Sequence, residues 1–421
     1  MKIKLIFLIL SFVTVNAVIE KARYDNYRVY EINIENEDHL KLMQEIENFP
    51  DGYKFMEPFG KIKSNVRLIV PPHKFGDFSE LVERFELKTR LLVTNLQEVF
   101  DREQPKRTKR STFDWSSYWD LDKIYDWLKQ LTVQYPNDVT LINIGKSYEN
   151  RDILGVKVNI GGGTNKKSVM FEGLHHAREW ITAATVTWML NELLTSTDNE
   201  VRELAANYEW YIFPVTNPDG YVYTWTTNRM WRKTRKPSSN LLCYGSDPNR
   251  NWDNFFNQGG TSMNPCSDTY AGEFTFSEPE TRQLSEFIKT IPNLAAYFPF
   301  HSFGQYLMLP YGWTHELLEN YHQLYAIGEK AIEALKAVNG RVYKFGSIAN
   351  VLYIATGASI DWVKYELKTN VTFEYEMRDD YPAARDTNGF ILPAEEIIPN
   401  SIEVFRSLVV ILQEAKAIGI A

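Results

Sequence analysis

Two apolar runs in the second half of the chain end on histidine: KSVMFEGLH at 167–175 and NLAAYFPFHS at 293–302. Each has the length and apolar continuity of a buried strand. A third run, YEWYIFPVTNPDG at 208–220, reads as a buried strand that ends in a turn. Helical patterns alternate with these runs. EWITAATVTWMLNELLTS at 179–196 reads as an amphipathic helix, LYAIGEKAIEALKAVNG at 324–340 as a helix stopped by Gly340, and IPNSIEVFRSLVVILQEAKAIG at 398–419 as a last helix. The alternation predicts an α/β fold: a mixed, mostly parallel sheet with helices on both faces. In such open sheets a ligand binds beyond the carboxyl ends of the strands, which is where both histidine-bearing runs stop.

A break in composition divides the chain. In EQPKRTKRSTFDW (103–115), Lys106, Arg107, Lys109 and Arg110 fall within five positions beside Pro105. A stretch this solvated packs poorly and is open to proteases. Arg107-Thr108-Lys109-Arg110 suits a trypsin-like or a furin-like activating protease, and the sequence does not choose between them. The unit before the break, 18–110, shows strand-like YRVYEINI, helical EDHLKLMQEIENF, strand-like YKFMEP and NVRLIVPP, helical FGDFSELVERFE and strand-like KTRLLVTN. This βαββαβ order predicts a small α+β, ferredoxin-like unit, with a helix through 96–102 leading to the basic segment. The main domain is then 111–421.

Residues 1–17 read as a secretory signal peptide. Lys2 and Lys4 precede an apolar run at 5–15, and Val15-Asn16-Ala17 offers a small-residue cleavage site. About 11 residues fall short of the ~20 that span a bilayer, so a membrane anchor is not expected. The chain has only two cysteines, Cys243 and Cys266, expected to pair in an oxidising compartment. That cross-link would stabilise by roughly 3 kcal/mol in the chain-entropy view. The net charge of −8 argues against nucleic-acid binding, and a monomer is expected.

His176 and Glu179 stand three apart, a spacing that puts both side chains on one face of a helix start or tight turn. His301, at the end of its own strand, is the best candidate for a third ligand. Two His and one Glu leave a coordination position open, the pattern of a catalytic zinc site. Alone, an H-x-x-E is a weak signal, since a histidine at a strand end is more often a packing residue. Its surroundings are more specific. GLHHAREWIT, TNPDGYVYTWTTNRMWRKTRK, DPNRNWD, PFHSFGQYLMLPYGW, GASIDW and EMRD occur in this order along the chain. In these blocks and in the preceding unit, the sequence resembles the zinc metallocarboxypeptidases of the carboxypeptidase A/B type.

The resemblance implies a carboxypeptidase-like fold behind an activation propeptide, and one Zn²⁺ held by His176, Glu179 and His301. His175 is then only a neighbour, and Asp247 orients the first zinc histidine. Glu376 is implied as the general base and acid, with the alignment on TFE at Glu374 as the rival. Strand alternation does not separate the two, because Thr372, Glu374, Glu376 and Arg378 share one face of the expected strand. Arg232 is implied as the oxyanion stabiliser. Asn249, Arg250 and Tyr353 are implied as binders of a free C-terminal carboxylate, and Arg178 and Phe390 as shapers of the neighbouring subsite. The terminal side chain would enter a pocket with Ile360 at its floor and Ile348 and Ala355 at its wall, with Gly312 leaving room. Ile360 is apolar where enzymes of the B type carry an acid, so aromatic or aliphatic C-terminal residues are expected.

Three features depart from the family pattern. Phe303 stands where a tyrosine is usual, Glu374 stands where a small threonine is usual, and 380–388 is longer than in the relatives. Glu374 leaves open a basic or broad specificity on the same fold. A catalytically silent binding protein is the remaining alternative. Asn370-Val371-Thr372 matches the glycosylation pattern, but it leads straight into the strand of Glu376.

Overall fold

The computed structural model describes residues 21–48, 51–57, 59–103, 112–240, 242–378 and 389–421. The leader at 1–17, the basic segment at 105–110 and the stretch at 380–388 lie outside these residues. The N-terminal unit is built from β1 (Arg28–Ile34), α1 (Glu37–Asn48), β2 (Lys54–Phe55), β3 (Ser64–Val70), α2 (Phe75–Arg84) and β4 (Thr89–Val93). Its sheet is antiparallel in the order β2-β3-β1-β4, the arrangement the βαββαβ reading predicts. The expected exit helix is present as α3 (Leu96–Glu103).

The main domain follows with α4 (Leu121–Gln134), β5 (Val139–Lys146), β6 (Asp152–Val158), β7 (Lys167–Glu172), α5 (Trp180–Thr195), α6 (Asn199–Asn207), β8 (Tyr208–Phe213), α7 (Pro218–Thr226), α8 (Pro279–Ile288), β9 (Leu294–His301) and β10 (Tyr306–Leu309). It ends with α9 (Tyr321–Asn339), β11 (Lys344–Ser347), α10 (Ile348–Val351), α11 (Ser359–Leu367), β12 (Val371–Thr372), β13 (Glu374–Glu376) and α12 (Ile397–Ala417). The sheet order is β11-β10-β13-β9-β7-β8-β6-β5, with β12 also on β9. The centre is parallel: β7 pairs β8 and β9 in parallel, and β9 pairs β12 and β13 in parallel. The flanks β6 on β8, β5 on β6 and β10 on β13 are antiparallel.

Strand alternation sorts two cores onto the two faces. Val169 and Phe171 of β7, with Ala296, Phe298 and Phe300 of β9, pack in the larger cluster under α4, α5, α6, α9 and α12. Met170 and Tyr297 point the other way, into a smaller cluster with Leu284 of α8, Ile348 of α10 and Ile360 and Trp362 of α11. Local caps fix the helix starts. Asp120 accepts from the Lys123 amide at α4, and Asp198 from the Glu200 amide at α6. Gly340, at φ 74°, ends α9 in the left-handed conformation, as the sequence predicts.

Three expectations are corrected. The helix at 179–196 is not amphipathic. As α5 it is buried on nearly every side, at Trp180, Ile181, Ala183, Val186, Met189 and Leu190 among others, because it lies between the sheet and α12. The turn after β8 is a helix start, where Asn217 accepts from the Gly220 amide and Pro218 occupies the first turn of α7. Arg378 does not share the face of Glu376. The strand stops at Glu376, and Arg378 turns to α12, bonding Glu403 at 2.6 and 2.8 Å, and also reaches Glu396. Its partner helix is the one that receives the Tyr375 hydroxyl, through Ser407.

Candidate active site

The carboxyl ends of β7 and β9 lie side by side, with Glu172 opposite Pro299. After β7 the chain enters a tight turn. Leu174 takes a left-handed φ of 52°, which a side chain rarely adopts, and its amide is held by the Thr182 hydroxyl at 2.9 Å. The Glu179 amide closes back on the His176 carbonyl at 3.2 Å, and Glu179 caps α5. The i, i+3 pair thus shares one face of a turn. His301, the last residue of β9, comes in from the adjacent strand.

The result is a buried group of three donors. His176 Nδ1 is 2.7 Å from Glu179 Oε1, and His301 Nδ1 is 3.1 Å from both His176 Nδ1 and Glu179 Oε2. Among the described residues this is the one His/Cys/Asp/Glu group whose donor atoms all lie within 4.8 Å of one another. Two imidazole nitrogens facing each other beside a carboxylate oxygen fit a divalent cation, with zinc matched by the donor types. His175 is outside the group. It lies 3.5 Å from Glu172 and packs edge-on to Trp252, and burial pushes its imidazole well below the usual range, so it is neutral.

Asp247 ties this group to Arg232. One oxygen is 3.0 Å from His176 Nε2, and the other accepts from Arg232 at 2.8 and 3.1 Å. Burial opposes its ionisation, but the Arg232 guanidinium and His176 hold the Asp247 carboxyl well below the carboxylate range. Asn249 donates its amide to Asp247 at 2.9 Å and accepts from the Ser359 amide at 2.9 Å. Its side-chain nitrogen is 3.3 Å from His301 Nε2. Arg250 is anchored by the Gly260 and Asn249 carbonyls at 3.0 and 2.8 Å. Gly357, at φ 73°, is required where the chain crosses Arg250, because a Cβ there would fall 2.2 Å from the Arg250 carbonyl oxygen. Glu376 ends β13 directly opposite His301 in the parallel pair. Burial, and then the Glu179 carboxylate, push it well above the carboxylate range.

These side chains converge on one cavity. His176, Glu179, Arg232, Asn249, Arg250, Ile348, Tyr353, Glu376 and Phe390 of the predicted set line it, together with Leu352, Ala355, Ala358, Phe303 and Glu374. His301 and Asp247 stand behind this lining, and two of the predicted substrate-binding residues do not reach it. Ile360 is fully buried in the core beneath the wall. Arg178 is turned to the N-terminal unit: it donates to the Met56 carbonyl and to Asp268, both at 3.0 Å, and stacks on Phe390. Cys243 and Cys266 form a disulfide.

The sequence reading missed how the N-terminal unit seals this cavity. Glu57 lines it and Gly60 lies against Tyr353. Lys61 bonds the Val351 carbonyl at 3.3 Å, and Arg67 lies over the Phe303 ring at 4.3 Å. About 60 Å³ remains beside the metal-ligand group, far less than a peptide side chain and backbone need, while a larger space of about 570 Å³ lies on the side of the N-terminal unit, between Arg67, Phe303 and Tyr353. Met56, Ile69, Leu92 and Val99 share one buried cluster with Met230, Phe390 and Ile391. At the far end, Glu103 of α3 forms a buried pair with Arg229 at 2.5 and 2.8 Å. Asp268 and Glu103 carried no sequence signal, because each gains its role only from a partner far along the chain.

Comparison with known proteins agrees with this geometry. Residues 124–407 match the zinc carboxypeptidase family, and residues 30–103 match the carboxypeptidase activation peptide. The chain is 43% identical over 404 residues to zinc carboxypeptidase A 1 of Anopheles gambiae, covering 95% of this chain and 92% of that one. It is 40% identical over 425 residues to zinc carboxypeptidase A 1 of Drosophila melanogaster, covering 99% and 98%. Among solved structures, carboxypeptidase A from Helicoverpa armigera superposes with a TM-score of 0.85 at 28% identity, over 94% of this chain and 99% of that one.

Proposed function

The chain belongs to the zinc carboxypeptidase family, as a carboxypeptidase A-like hydrolase with an activation peptide, and from there we propose that it is a secreted proenzyme that removes aromatic or aliphatic residues from peptide C-termini. The observation that carries the specificity is the cavity wall: Ile348, Leu352, Ala355 and Ala358 line it, over a buried Ile360. An apolar wall favours a side chain with an apolar body, and the large guanidinium of Arg would lose its hydration there. Release of the active domain by a trypsin-like or furin-like protease near Arg110, with 18–110 as the propeptide, is part of the same proposal.

His176, Glu179 and His301 would hold the zinc, which when bound polarises the scissile carbonyl and activates a water. With the zinc's positive charge offsetting Glu179, Glu376 would be ionised and would accept the proton of the attacking water and pass it to the leaving amine. Its buried Oε2, without a hydrogen-bond partner among the described residues, supports that role. Arg232 is held in place by Asp247 and donates to the oxygen on which negative charge develops. Arg250 and Asn249, with the Tyr353 hydroxyl, receive the terminal carboxylate, and this limits attack to the last peptide bond.

The test uses the full chain cut in the basic segment and then separated from the cleaved N-terminal unit. Release of C-terminal Phe, Leu and Arg is compared on otherwise identical peptides, with and without a chelator. Chelator-sensitive release of Phe and Leu is expected, with Arg poorly released. Glu376→Gln is expected to lower kcat by roughly 10²- to 10⁴-fold with zinc still bound. Preferential release of Arg would overturn the apolar assignment. Zinc-loaded protein that releases nothing would overturn the exopeptidase reading.

A further inference from the structure

The wall that receives the terminal side chain is not uniformly apolar. Glu374 sits in it, two residues before Glu376 on the same face of β13, among Ile348, Leu352, Ala355 and Ala358. It is 95% buried, being only 5% exposed, and its Oε2 has no hydrogen-bond partner among the described residues. A buried carboxyl oxygen left unpaired costs free energy that a ligand's donor can recover. The position is not accidental in register. Glu374 is opposite Met308 in β10, and its neighbour Tyr375 points into the larger core, so the backbone fixes the carboxyl on the cavity side. Nearby, Asp361 gives one oxygen to the Gly312 and Trp313 amides, and its other oxygen is also buried without a hydrogen-bond partner among the described residues, but Asp361 does not line the cavity. Glu374 does line it, among the apolar side chains of the wall, and so presents its unpaired oxygen to a substrate.

We propose that Glu374 makes this pocket select, among C-terminal residues with an apolar body, those that carry a hydrogen-bond donor: a phenol hydroxyl, a carboxamide or an ammonium group. A carboxyl group keeps an acceptor oxygen whether it is ionised or protonated, so Glu374 can receive a hydrogen bond from such a donor in either state. The selection rests on the carboxypeptidase reading of the same site and refines it. Tyr is taken in preference to Phe, and straight-chain residues ending in a donor in preference to their apolar matches.

The experiment measures kcat/KM on three matched peptide pairs with the zinc-loaded, cleaved protein: Tyr against Phe, Gln against Met, and Lys against norleucine at the C-terminus. A preference of about tenfold or more for the donor-bearing member in at least one pair is expected. The first two pairs report a neutral donor and the third a cation. Glu374→Met keeps the length of the side chain and removes its polar atoms. It is expected to bring each ratio to within twofold of unity while holding or raising the thermal midpoint. If that variant does not fold, Glu374→Thr replaces it, with the same expected collapse of the ratios. Release of Phe, Met and norleucine with no donor preference, or a preference that survives in the folded variant, overturns the inference and leaves the exopeptidase reading standing. No release of any residue by zinc-loaded protein overturns both.

Discussion

Asp247 gives one carboxylate oxygen to His176 and the other to Arg232, so one side chain sets both a metal ligand's orientation and the charge beside it. Asp247→Asn preserves the shape and removes the charge. It is expected to weaken zinc binding by about 10- to 100-fold, as read by metal titration against a chelator. At this scale the sequence was informative in a specific way. His176, Glu179, Asp247, Asn249 and Arg250 lie in two short blocks whose spacing is set by a turn and a loop, so their grouping survives in one dimension. Alternation alone put Glu374 and Glu376 on the same face, and the structure keeps both in the cavity. Arg178 and Ile360 were assigned to the substrate. In this structure Arg178 is occupied by Met56 and Asp268, and Ile360 lies under the wall, because contacts from another part of the chain decide where a side chain points.

Among the elements, α8 carries a titration that the sequence does not announce. Glu280, in its first turn, is buried with one oxygen on the Tyr148 amide and the other without a hydrogen-bond partner among the described residues. Burial, and then the neighbouring Glu278 carboxylate, push its carboxyl up to about 8. Between the ordinary glutamate value near 4.5 and about 8, the folded chain keeps this proton and the unfolded chain has lost it. Its contribution to stability therefore falls as pH rises through that window. Glu280→Gln removes the slope. Its unfolding free energy relative to wild type is expected to climb between pH 4.5 and 8 and then level off, by an amount on the order of a few kcal/mol. Scanning calorimetry across that range checks it, and a constant offset would contradict it. The strong runs at β7, β8, β9, α9 and α12 were legible because period and length agree. The face of α5 was not, since Thr182, Thr185 and Thr187 look polar in sequence yet are buried between layers.

At the scale of the molecule, the N-terminal unit is held at both ends of the cleft. Met56 engages Arg178 over the site, and Glu103 neutralises Arg229, whose other bonds reach the Arg178 and Phe390 carbonyls at 2.8 and 3.1 Å. Cutting the basic segment leaves this pair untouched, so the cleaved unit is expected to remain bound. Glu103→Gln leaves the Arg229 guanidinium buried without its counter-charge, a change that costs about 2–5 kcal/mol at buried interfaces. Dissociation of the cleaved unit is expected to quicken by about tenfold or more, measured by size exclusion and by the appearance of activity; an unchanged rate would show that the pair does not hold the unit. No helix among the described residues is long and apolar enough to cross a membrane. The sequence by itself determined the α/β alternation, the βαββαβ unit and the pairing of His176 with Glu179 on one face of a turn, because each depends on periodicity, turn chemistry or spacing within a short stretch. Only the tertiary structure decided which carboxylates pair with which arginines, how the cavity is sealed and which acid faces its wall. The Arg178–Asp268, Arg229–Glu103 and Lys61–Val351 contacts join residues 90, 126 and 290 positions apart, and no local pattern encodes the partner.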